Sequence, residues 1–161
     1  MKPVVLALSM ALALSVILAA YSVPHAQQRS EGAETAPVAL ADIMSATQFR
    51  HLKLGYAGQV ANWALANYET TLMRQSFEEA ARFYPKVGNV PFADLVKSKS
   101  TPALDDIERA IAAKDPQGFA TAFQRLTAAC NSCHEASGVG FVVIRVPTLS
   151  PFSNQVFPPK P

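Results

Sequence analysis

The sequence predicts an all-α chain folded as an antiparallel four-helix bundle with an extended C-terminal tail. Four stretches carry apolar residues at alternating spacings of three and four, and proline and glycine punctuate the gaps between them. Neither a βαβ alternation nor an internal repeat competes with that pattern. Two short turns and one longer connection join the four stretches, which suits neighbouring helices of opposite direction.

The first helix is expected over about residues 38–56, where Leu40, Met44, Thr47, His51 and Leu54 fall on one stripe. Gly55 and Gly58 suggest its end. The second runs from about Asn62 to Tyr84, carries Trp63, Leu65, Ala66, Leu72, Phe77, Ala80 and Phe83, and stops before Pro85. Residues 85–100, with Pro85, Gly88, Pro91 and several lysines, have the composition of a crossing loop. Thr101-Pro102 opens the third helix, and Leu104, Ile107 and Ile111 form its apolar stripe up to Lys114. Asp115-Pro116 then gives an N-cap followed by proline at the first helical position, so the fourth helix starts across a tight connection. Along it Phe119, Phe123, Leu126 and Cys130 share a face, and Gly138 and Gly140 close it. The tail is too apolar to be freely solvated and too proline-rich for a fifth helix. It is expected to lie across the bundle through Phe141, Phe152 and Phe157.

Ahead of the bundle, Lys2, an uncharged run from Val4 to Ala20 and a polar segment read as an export signal. The expected organisation is a signal peptide at 1–26, a polar leader at 27–37, the bundle at 38–138 and the tail at 139–161. Ala20 and Ser22 have the small-x-small spacing of a cleavage site. If left uncleaved, a run of this length approaches the about 20 residues of a membrane anchor. Export makes the protein periplasmic, with membrane association only in the uncleaved form. The formal net charge is +2 and removal of the signal takes away Lys2 alone, leaving 13 basic and 12 acidic residues. So balanced a charge excludes the basic field that nucleic-acid binding needs.

Chemistry concentrates in Cys130-Asn131-Ser132-Cys133-His134. Two thiols three residues apart on one helical turn can each form a thioether to a vinyl group of one haem, and the next residue supplies an imidazole for the iron. A redox dithiol of the thioredoxin kind expects a strand-turn-helix setting, whereas this pair ends a helix in a helical chain. Zinc takes about four ligands, and the histidines outside the motif are His25 and His51 alone. A structural disulfide is the remaining alternative.

With this motif at the end of its last helix, the chain resembles the four-helix c-type cytochromes, cytochrome c-prime and its six-coordinate relatives. The resemblance covers residues 38–138 as architecture, and only the motif and its position are specific. It implies one covalent haem c, with Cys130 and Cys133 as thioethers and His134 as the proximal iron ligand. In the six-coordinate relatives a methionine early in the first helix completes the iron, and in cytochrome c-prime an apolar residue leaves the position open. The tail beyond the motif departs from that pattern.

Met44 and His51 are the candidates for the sixth ligand. From the turn end of the bundle, His134 stands about 26 Å up the fourth helix, Met44 about 18 Å up the first and His51 about 8 Å. The smaller offset favours Met44, with His51 as the alternative and an open iron as the third case. His/Met ligation is the arrangement of electron carriers. The expected function is therefore one-electron transfer with a redox partner protein, and the alternative is a five-coordinate, gas-binding haem protein. An enzyme would need distal acid–base groups, and His51 stands too far down its helix to serve, so no catalysis is expected. The sequence is compatible with a homodimer. Glu69, Glu78, Glu79, Asp105, Asp106 and Glu108 read as surface acids, and Arg50 and Arg145 as surface cations.

Overall fold

A computed structural model describes residues 38–160. The signal at 1–26 and the leader at 27–37 lie outside the described residues. Among the described residues the chain is helical, with no strand beyond an isolated bridge between Val87 and Val90. Four long helices, α1 (Leu40–Gln59), α2 (Trp63–Phe83), α4 (Thr101–Ala112) and α5 (Pro116–Ala136), form a bundle, with a short α3 (Phe92–Leu95) ahead of α4.

Local chemistry explains where the helices begin. The Asn62 side chain accepts a hydrogen bond from the Leu65 amide at 3.1 Å and caps α2. Asp115 accepts one from Gln117 at 3.0 Å with Pro116 at the first helical position, as the sequence predicts for α5. The turns before these two helices share a device. Ala61 and Lys114 adopt left-handed backbone angles, φ 53° and 51°. The next amides, of Asn62 and Asp115, then reach back to the carbonyls of Ala57 and Ala110 at 2.8 and 3.0 Å.

The first helix differs from expectation in running through Gly55 and Gly58 to Gln59. These glycines serve packing. A Cβ on Gly55 would stand 2.6 Å from Pro147 and 2.9 Å from Phe123, and one on Gly58 would overlap the Phe119 ring. Without side chains, α1 can approach α5 at both points.

A second difference concerns residues 85–100, read as a loop. From Phe92 the chain is helical, and through Val96–Ser100 it forms a π turn that runs directly into α4. Pro102 accounts for the wide turn, since it has no N–H and its ring crowds the preceding turn. The Thr101 amide accordingly bonds the Val96 carbonyl, five residues back. Prolines and lysines concealed the spacing of Phe92, Val96 and Ser100, all of which are buried.

The core holds Leu54, Met73, Leu104, Ile107 and Leu126 with almost no exposure. Polar contacts tie the helices together: Arg50 donates to the Leu72 carbonyl at 2.6 Å and to Ser76, and Arg74 joins Asp105 and Glu108 at 2.7 and 2.9 Å. Arg50 is thus engaged within the bundle. Glu69 also differs from its reading as a surface acid, being only 3% exposed, and burial raises its pKa against the opposing charges of Lys53 and Arg50.

Residues beyond α5 make specific contacts. The Gln59 side chain donates to the Pro147 carbonyl at 2.9 Å and that of Asn62 to the Phe157 carbonyl at 2.7 Å. Phe157 is buried against Tyr56, with ring centroids 5.3 Å apart, and Phe152 stands 6.3 Å from Phe49. Phe141, expected to pack likewise, is 84% exposed.

Candidate functional site

One end of the bundle holds a cavity of about 390 Å³, within the range of cofactor sites. All five residues singled out by sequence line it: Cys130, Cys133 and His134 from α5, and Met44 and His51 from α1. Its other walls are mostly apolar, and include Met73 and Phe77 of α2 with Phe92 and Val96. Sequence reasoning missed the last two because their segment was read as loop. Their spacing of four is the helical signal that was present.

The thiols are free, and Cys133 is buried. Burial pushes the Cys130 thiol up to about 12. Cys133 is also raised by burial, against the opposing effects of the Ser100 hydroxyl and Lys99. A redox dithiol works with a lowered thiol pKa, which is the opposite direction. Among the described residues no three His, Cys, Asp or Glu side chains converge, which falls short of a zinc ligand set.

The two histidines differ in which nitrogen is free. His134 Nδ1 lies 2.5 Å from the Val142 carbonyl oxygen, which can only accept, so Nδ1 carries the proton and Nε2 keeps its lone pair. That is the ordinary arrangement of a metal-ligating histidine with a backbone partner. His51 Nε2 lies 2.9 Å from Thr127 Oγ1, and the Thr127 hydroxyl already donates to the Phe123 carbonyl at 2.9 Å. His51 Nε2 must therefore be the donor, and its lone pair sits on Nδ1. The ring is buried, stacks on Phe123 with centroids 4.5 Å apart, and is lowered by burial from 6.5 to about 4.

Two thiols, an imidazole with a free Nε2 and the Met44 thioether, all lining one mostly apolar cavity, form a donor set that fits haem c. Ser137 also lines the cavity, its hydroxyl buried and without a hydrogen-bond partner, beside the polar Thr47, Gln48 and Ser100. No protein-family model, curated protein or solved structure matches this chain.

Proposed function

We propose that this chain is an exported, periplasmic c-type cytochrome with one covalent haem, acting as a one-electron carrier for a redox partner protein. Its fold in this reading is an antiparallel four-helix bundle with residues 139–161 extended over it. Cys130 and Cys133 hold the haem as thioethers, His134 Nε2 binds the iron and Met44 is the sixth ligand. The haem iron supplies the one-electron couple. The observation that carries the reading is that Cys130, Cys133, His134 and Met44 all line one mostly apolar cavity.

The choice of Met44 over His51 rests on register. Gly58 approaches Phe119, Gly55 approaches Phe123 and His51 bonds Thr127, so positions falling along α1 meet positions rising along α5. One further step of seven on each helix brings Met44 level with His134. His51 is level with Thr127, two turns or about 10 Å deeper. A thioether adds no acid or base, and His51 lies two turns deeper with its Nε2 proton held by Thr127, so the site favours electron transfer over catalysis. Among the described residues no helix is long and apolar enough to cross a membrane.

Absorption spectra of the purified protein in both oxidation states, with and without carbon monoxide, test this function. Six-coordinate spectra unchanged by carbon monoxide in the ferrous state are expected. Ready binding of carbon monoxide would replace electron transfer by the gas-binding reading.

A further inference from the structure

Asn131, the first variable residue of the motif, makes two hydrogen bonds to one residue of the tail. Its Nδ2 donates to the Ile144 carbonyl at 2.9 Å, and its Oδ1 accepts from the Ile144 amide at 2.8 Å. A side-chain amide is uncharged and offers a donor and an acceptor in one plane, so it can pair with a backbone as a neighbouring strand would. Ile144 is buried and lines the cavity. Two residues earlier, the Val142 carbonyl is the acceptor for His134 Nδ1.

The chain reaches that carbonyl by a tight reversal. Gly138 takes φ 75°, which lets the Val139 amide bond the His134 carbonyl at 2.9 Å. The Val142 amide then bonds the Val139 carbonyl at 2.8 Å. Backbone bonds therefore fix the strap at its helix end. Beyond it Asn131 supplies the polar attachment nearest to that carbonyl, three residues ahead of the Gln59 bond to the Pro147 carbonyl, and residues 143–148 have no regular structure.

We propose that Asn131 is a positioning residue for the iron ligand: by holding Ile144 it keeps the Val142 carbonyl on His134 Nδ1, which sets the ring's tautomer and orientation. This inference rests on the haem reading above. The carbonyl makes the imidazole a stronger donor to the iron and so favours the oxidised state. Loss of the bond raises the potential.

The test uses the full-length haem-bearing protein with Asn131→Ala and Asn131→Asp, the latter keeping the acceptor and losing the donor. Three quantities are read: the reduction potential, the exchange rate of the His134 Nδ1 proton in the reduced protein, and trypsin cleavage after the exposed Arg145. In Asn131→Ala the potential should move upward, and both proton exchange and cleavage should quicken by about tenfold or more. Asn131→Asp should fall between, and it serves if the alanine variant does not fold. Faster cleavage with an unchanged potential and unchanged Nδ1 exchange would make Asn131 only a tail anchor and overturn the proposal. A chain that carries no haem would overturn the cytochrome reading and this role together, whereas a haem-bearing chain indifferent to both substitutions overturns this role alone.

Discussion

Met44→Ala is expected to convert a six-coordinate ferrous haem that resists carbon monoxide into an open one that binds it readily. The potential should fall at the same time, because a thioether ligand favours the reduced iron. Met44 is half-buried, so the cost to stability should be about 2 kcal/mol, the low end for truncating a methionine. His51→Ala should leave the haem spectrum nearly unchanged and act on stability alone, through its stack on Phe123 and its bond to Thr127. Spectra of both variants with and without carbon monoxide, together with redox titrations, check the pair. If the effects are exchanged, the iron is bis-histidine and the register between α1 and α5 described above is wrong.

His51 should also make the fold acid-sensitive. Burial penalises its charged form, so its pKa is about 4 in the folded chain against 6.5 for the free side chain. Between those values the unfolded chain binds the proton and the folded chain does not, so stability falls as pH falls. The contribution is intact above about pH 6.5 and is lost progressively down to about pH 4. At 1.36 kcal/mol per pKa unit, it amounts to about 3 kcal/mol. Denaturant unfolding from pH 7 to pH 4 should show this slope in the wild type, and His51→Leu should remove it. Equal slopes in both proteins would assign the acid sensitivity to other groups.

The helices were legible because their apolar residues recur at helical spacing and their ends carry local signals. Asp115 caps its helix through a bond to a residue two positions on, a contact that sequence order alone reveals. The segment from Phe92 to Ser100 was not legible, since its prolines and lysines match loop composition and the π turn arises from a contest between Pro102 and the preceding turn. Glu69 was misread for another reason. It lies on a helix whose periodicity allows either face, and only the packing of α2 decides that the carboxyl is covered. Of the candidate site, the five residues were readable from motif and stripe. Which histidine nitrogen is free was not, because that depends on Val142 and Thr127, whose partners the fold selects. The role of Asn131 was hidden likewise, since a variable position in the motif carries no signal until Ile144 is beside it.

Covalent haem at Cys130 and Cys133 is tested by the intact mass of the exported protein after acid-acetone extraction. The polypeptide should keep the mass of one haem, and the double variant Cys130→Ser, Cys133→Ser should lose it under the same treatment. A wild-type chain that gives up all its haem to the solvent, or never carries it when matured with haem-attachment machinery present, would show that Cys130 and Cys133 are not haem thioethers.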